Sequence, residues 1–375
     1  MKVCIVSLNI VPLFAGERGG LFGGAEVQAS FVAGALQACG QSVSMVVSNL
    51  SRPGTVPYQV ENAYHSSEGI RGLRFFHPRW TGIMGALERA DADVYYERNA
   101  GMLTGLVAMF CRRKCKVFVY GAGSDVDFSP SEVAIAGARD RMLIAYGLKM
   151  SDGFVVQNER QRDAAERRLH KPTRVIPNGV WPIEGADDSR RDTIVWIGAM
   201  WRVKRPELFL EIARRMPDRK FVMVGGGGEL EPRIRAEAKS IPNLTMAGRL
   251  PRSMIDGALR RAAVLVNTSS MEGFPNAFLE AWNNGVPVVT FGDVDGIVRS
   301  TGVGAVCATI DEMVAAVREF ADDHGAQAVR DRARSLVKER FSPEVLGPRY
   351  VEFFEELLQS KGAPAGQAAV SAPRS

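Results

Sequence analysis

Glu272 and Glu280 lie eight positions apart, on either side of a helix start. The apolar run 263–267 reads as a strand, the polar stretch after it as a loop, and the segment opening near Asn276 as a helix. Gly285 ends that helix before the next strand, 286–290. A loop so placed sits at the carboxyl edge of a parallel sheet, where open α/β folds bind ligands. The backbone from Phe274 through Pro275 and Asn276 to Ala277 is expected to turn free N–H groups and the positive end of the helix dipole toward that crevice, a setting suited to phosphate. Glu280, four residues beyond Asn276, shares its helical face, so both carboxylates are expected to reach one ligand. Beside a phosphate, carboxylates make sense only as acceptors for sugar hydroxyls. Taken singly, Glu272 reads as a solvated loop acid and Glu280 as an exposed helix acid; their joint spacing with Gly273 and the helix start favours a site.

The elements that would position these residues repeat along the chain. Strand-like runs at 3–8, 42–47, 73–76, 94–96, 116–120 and 153–156 alternate with helix-period segments, and the pattern resumes at 193–197, 221–224, 243–246, 263–267 and 286–290. The fold class this implies is α/β, with two Rossmann-like domains facing a cleft. Residues 1–180 form the first and 190–341 the second, joined through the turn-rich, charged stretch 177–190. Ser342 as N-cap and Pro343 at the first helical position open a last helix over 342–360, and the Ala/Pro/Gly/Ser-rich residues 361–375 read as a disordered tail.

Composition removes other classes. A chain of 375 residues with 46% hydrophobic and 24% charged residues fits two globular domains, and its apolar runs are shorter than the roughly 20 residues that span a bilayer. The start of the chain reads as a first core strand rather than a signal peptide, so a cytoplasmic location is expected. Cys4, Cys39, Cys111, Cys115 and Cys307 are scattered and no two of the four histidines are at metal-ligand spacing, which supports neither disulfides nor zinc. The net charge of +5 falls entirely in residues 1–180, with 21 basic and 16 acidic residues against 26 and 26 thereafter. Basic clusters at 112–116 and 160–174 fit an anionic acceptor, a peripheral contact with a phospholipid surface, or ordinary solvated helix faces. No recognition motif accompanies them, so nucleic acid is not an expected partner.

The string from Thr268 to Val289, with Glu272, Gly273, Phe274, Pro275, Asn276 and Glu280, resembles the E-x7-E signature of the family 4 glycosyltransferases, which have the two-domain GT-B fold. In that resemblance Glu272 approaches the hydroxyls of the donor sugar and Glu280 binds the nucleotide ribose. Gly23 and Gly24 look like the family's glycine-rich loop, where a missing side chain lets backbone approach a phosphate or the acceptor. The 198–206 segment, with Gly198 and Lys204, resembles the part that carries the cations of the donor diphosphate. Gly225 and its neighbouring glycines, with Gly248 and Arg249, look like the loops that flank the nucleobase.

Two positions depart from the family pattern. Ala199 stands where its arginine usually lies, and Arg202 is either the substitute cation or a surface arginine at a helix entrance. After the fifth strand the usual histidine is missing, which leaves Asp125 or the backbone of 121–124 to contact the sugar. Asp125 and Asp127 also fit D-x-D, the metal motif of the other large glycosyltransferase fold, but so do 91–93 and 293–295, and no metal or cofactor is expected.

The resemblance implies a retaining enzyme that moves a sugar from a nucleotide diphosphate donor to a hydroxyl on a glycan or lipid-linked acceptor, in polysaccharide or lipid-linked glycan synthesis. The same fold hosts nucleotide-sugar epimerases, and a catalytically silent nucleotide-sugar-binding protein is the alternative from another class. An oxidoreductase lacks its dinucleotide fingerprint here.

Overall fold

The structure is a computed structural model, and it describes residues 1–15, 23–50, 58–70, 72–98, 100–125, 127–128, 137–185, 191–322 and 326–362. Two parallel sheets organise the chain. The first contains β1 (Lys2–Val6), β2 (Ser42–Val47), β3 (Gln59–Asn62), β4 (Val94–Arg98), β5 (Val117–Gly121), β6 (Gly153–Val156) and β7 (Thr173–Val175), in the order β3-β2-β1-β4-β5-β6-β7. The second contains β8 (Thr193–Ile197), β9 (Lys220–Val224), β10 (Leu244–Gly248), β11 (Ala262–Asn267), β12 (Val288–Thr290) and β13 (Gly304–Val306), in the order β10-β9-β8-β11-β12-β13. Each order reverses once, between β1 and β4 and between β8 and β11, and these reversals open the crevices that ligands use.

The central strands are buried on both faces, which is why they read as unbroken apolar runs. Val3 pairs with Val43 on one side and Val94 on the other. Helices cover both faces of each sheet: one face of the first packs Phe31, Met45 and Tyr96, the other Leu87, Phe110 and Phe118. In the second sheet Phe278 and Trp282 lie on one side, Trp196 and Phe209 on the other.

The segment 73–76, expected as a strand, is not one. Leu73 is followed by short helical turns within Phe75–Trp80, broken by extended backbone at His77, and Leu73 and Phe76 stay 56% and 62% exposed. The third strand is instead Gln59–Asn62, paired with β2 through Ser44 and Gln59. β7 and β13 are three-residue edge strands of partly buried residues, too short and too weakly apolar to register as strands in the sequence.

The connection after β7 is packed rather than loose. Val180 is buried and its N–H donates to the Phe341 carbonyl at 3.0 Å, while Trp181 meets Phe31 edge-on at 6.3 Å. The last helix, Pro343–Gly362, returns to the first domain and buries Tyr350, Phe353, Phe354 and Leu357 against it. It runs two residues into the segment expected as a tail, where Lys361 Nζ donates to Asp152 Oδ2 at 2.7 Å. Residues 363–375 lie outside the described residues.

Candidate active site

β8 ends at Ile197 and the chain turns through Gly198 into one tight helical turn, Arg202–Lys204. Arg205 follows in the left-handed region, at φ 46°, and Pro206 opens the helix Pro206–Arg215. This turn is stitched to the loop after β11. Arg205 Nε donates to the Thr268 carbonyl at 2.7 Å, the Thr268 hydroxyl to the Lys204 carbonyl at 2.6 Å, and Ser270 N to the Val203 carbonyl at 2.8 Å. Trp196 Nε1 donates to Thr268 Oγ1 at 3.0 Å from the core below. Two loops distant in sequence thus hold one another rigid, and Lys204 and Glu272 project from them.

Lys204 Nζ donates to Glu272 Oε1 at 2.5 Å, and Asn267 Nδ2 reaches the same oxygen at 3.3 Å. Among the described residues both hydrogen bonds to Glu272 fall on Oε1, which leaves Oε2 to accept from a ligand hydroxyl. Arg202 is not part of this group. Its side chain is 82% exposed and pairs with Glu229 at 3.4 Å, the arrangement of a surface arginine.

Glu280 lies on the helix Asn276–Asn283, with Arg252 and Asp256 as charged neighbours. Burial, the main cause, pushes its carboxyl up to about 7; Arg252 opposes the rise and Asp256 adds to it. The helix start differs from expectation. Phe274 N already donates to Gln157 Oε1 at 2.8 Å and proline has no N–H, which leaves Asn276 and Ala277 to offer donors.

The glycines divide by what approaches them. A side chain on Gly225, at φ 127°, would meet the Gly198 carbonyl oxygen at 1.8 Å, so these two loops touch backbone to backbone, and Gly225 N donates to the Gly248 carbonyl at 2.7 Å. Exposed Arg249 lies across Gly227, where a methyl group would come within 2.2 Å of its guanidinium. Gly23 precedes the helix Gly24–Ala38 and its N–H is taken by Glu26 Oε2 at 2.7 Å. What approaches Gly24 is Asn276, whose Nδ2 donates to its carbonyl at 3.1 Å. A methyl group on Gly273 would meet Gln157 Oε1 at 2.0 Å.

These contacts belong to an amide network that joins the two domains and that the sequence did not reveal. Asn178 Nδ2 donates to the Phe274 carbonyl at 2.6 Å and to Asn276 Oδ1 at 2.8 Å, while its Oδ1 accepts from Arg98 at 2.6 Å. Gln28 Nε2 donates to Asn276 Oδ1 at 3.0 Å, and Asn158 Nδ2 to the Gly273 carbonyl at 2.9 Å. Asp125 borders the network from the first domain, paired with Arg160 and accepting from Gln161 Nε2 at 2.8 Å. Arg160 and Asn158 line, with Glu272 and Asp295, an interdomain cavity of about 260 Å³. Asn178 lies in the turn-rich stretch 177–190 read as the linker; nothing local marked Gln28 or Arg98.

In the basic stretch 112–116, Lys114 pairs with Glu88 at 2.5 Å and Lys116 with Asp91 at 3.3 Å. Leu106, Val107 and Phe110, which share its helix, are core residues. Among the described residues no helix is long and apolar enough to cross a membrane, and no cluster of three or more His, Cys, Asp or Glu side chains is placed to hold a metal.

Residues 191–323 match the family model described as Glycosyl transferases group 1. No curated protein matches the chain. Solved structures resemble nearly all of it at low identity. Sucrose-phosphate synthase from Thermosynechococcus elongatus is 18% identical, with a TM-score of 0.75 over 96% of this chain and 100% of that one. Alr3699/HepE from Anabaena, in complex with UDP and glucose, is 14% identical, with a TM-score of 0.70 over 95% and 100%. WaaG, a glycosyltransferase involved in lipopolysaccharide biosynthesis, is 14% identical, with a TM-score of 0.67 over 94% and 99%. The two facing parallel-sheet domains, shared with these structures over almost the full chain, are the GT-B fold.

Proposed function

We propose that this protein is a glycosyltransferase that moves a sugar from a nucleotide diphosphate donor to a hydroxyl acceptor with retention of anomeric configuration. The observation that carries the reading is the Lys204–Glu272 pair, held by two mutually bonded loops inside the domain that matches the glycosyltransferase family model. Glu272 Oε2 accepts from donor-sugar hydroxyls, Glu280 from the ribose, and Lys204 with the helix start at Asn276 stabilises charge that grows on the departing diphosphate. The acceptor enters over the first domain and attacks on the face that the diphosphate leaves, whose oxygen receives the acceptor proton. Since HepE was solved with UDP and glucose, a uridine donor is the first to try.

Incubation with labelled uridine, guanosine and adenosine diphosphate sugars, with and without EDTA and glycan or lipid-linked acceptors, tests this reading. Transfer or slow donor hydrolysis is expected, undiminished by EDTA, with the anomeric outcome read by proton NMR. Conversion of one sugar into another would show an epimerase, and binding without turnover a silent receptor.

A further inference from the structure

The loop that carries Glu272 is anchored on both sides of that residue. Upstream, Ser270 N donates to the Val203 carbonyl at 2.8 Å, within the second domain. Downstream the anchor comes from the first domain, where β6 ends and Gln157 and Asn158 lead into the helix Glu159–Leu169.

These two adjacent side chains grip one peptide unit at its two ends. Phe274 N donates to Gln157 Oε1 at 2.8 Å, and Asn158 Nδ2 donates to the Gly273 carbonyl at 2.9 Å. A peptide unit is planar, so bonds at both ends fix its orientation, and with it the path on which the chain leaves Glu272.

Both amides are themselves held. Gln157 Nε2 donates to Asn178 Oδ1 at 3.2 Å, Gln157 N donates to Gln161 Oε1 at 2.8 Å, and Asn158 Oδ1 accepts from Gln161 N at 2.8 Å as the helix N-cap. Gln157, Asn158, Gln161 and Asn178 are all buried, so a partner removed here leaves the other group unsatisfied. Two charged residues stand one hydrogen bond away: Asp125 Oδ1 accepts from Gln161 Nε2 at 2.8 Å, and Arg98 donates to Asn178 Oδ1 at 2.6 Å.

Residue 273 is a glycine because of this contact rather than its backbone. Its φ lies outside the left-handed region, yet a methyl group there would come within 2.0 Å of Gln157 Oε1 and 2.9 Å of Gln161 Nε2. Only a residue without a side chain lets the amides of the first domain approach so closely.

We infer that Gln157 is a positioning residue: with Asn158 it aligns the Gly273–Phe274 peptide so that Glu272 Oε2 meets the donor sugar. This role rests on the transferase reading. It separates two tasks, because the nucleotide contacts assigned to Lys204 and Glu280 lie within the second domain, whereas the alignment of Glu272 is set from the first.

Calorimetry with UDP, and steady-state kinetics with whichever nucleotide sugar the parent turns over, test the inference. Gln157→Met keeps the length of the side chain and removes both of its hydrogen bonds. Its kcat is expected to fall about 10- to 100-fold from misplacement of the loop. UDP affinity should stay within about twofold, since Lys204 and Glu280 are untouched. Gly273→Ala pushes the same amide away from the loop side, and should show the same split even if Gln157→Met fails to fold. Gln157→Glu still accepts from Phe274 N, but only its protonated form can donate to Asn178 Oδ1. Its kcat relative to the parent should therefore rise as pH falls from about 8 to about 5.5, an effect that lost packing alone does not produce.

A parent-like kcat in Gln157→Met or Gly273→Ala, a loss of UDP affinity as large as the loss of kcat, or a pH-independent ratio for Gln157→Glu would overturn the inference. Turnover of no nucleotide sugar by the parent would sink the transferase reading instead. Hydrogen exchange of the 268–277 backbone then decides the grip: faster exchange in Gln157→Met upholds it, and unchanged exchange overturns it.

Discussion

Lys204 Nζ and Glu272 Oε1 lie 2.5 Å apart across 68 positions of sequence, with side chains 28% and 17% exposed. The pair is preorganised: each partner fixes the other before any donor arrives, and one carboxylate oxygen stays open. A cation already in place loses little on reorganisation when charge develops on a leaving diphosphate.

Lys204→Ala should therefore lower kcat by about 10²–10³-fold, the usual effect of removing one preorganised donor. Nucleoside diphosphate affinity, measured by calorimetry, should fall much less. Equal losses would mean that Lys204 only anchors the donor.

Glu280 makes stability depend on pH. An exposed glutamate titrates near 4.5, whereas this one is raised to about 7. Between those values the folded chain holds a proton that the unfolded chain has released, so stability falls as pH rises through the window, by about 3 kcal/mol in all at ~1.4 kcal/mol per unit. Glu280→Gln removes the titration. Denaturant unfolding should find the variant close to the parent near pH 5 and more stable than it near pH 8.

Gly225→Ala brings a methyl group against the Gly198 carbonyl and forces a side chain into φ 127°. A loss of at least about 2 kcal/mol is expected, from backbone strain plus the clash. Gly257→Ala, on the helix Arg252–Arg260 with nothing within 4 Å among the described residues, is the control and should gain about 0.5–1 kcal/mol. Thermal unfolding of the two variants compares them directly.

Asn178→Ala strips the Phe274 carbonyl of a donor and Arg98 of an acceptor in a buried position. Stability should drop by about 1–3 kcal/mol. If the network also sets how the domains meet, proteolysis of the native variant should cut between 177 and 190 faster than in the parent.

The sequence by itself determined what is local. Parallel strands buried on both faces are continuous apolar runs, so β1, β5 and β11 were legible, as was the strand–loop–helix unit around Glu272 and Asn276. Their chemistry is carried by near neighbours in the chain. Tertiary structure alone decided which side chains meet. Gln28 and Asn276 bond across 248 positions, Asn178 and Asn276 across 98, and no periodicity encodes such a pair. The same holds for Arg202, which packing turns outward to Glu229, and for the Phe274 N–H, which Gln157 claims from the other domain. Three of the four edge strands escaped for a related reason: with one neighbour and partial burial, β3, β7 and β13 need few apolar residues, while exposed Leu73 and Phe76 imitate a strand that the sheet has no place for.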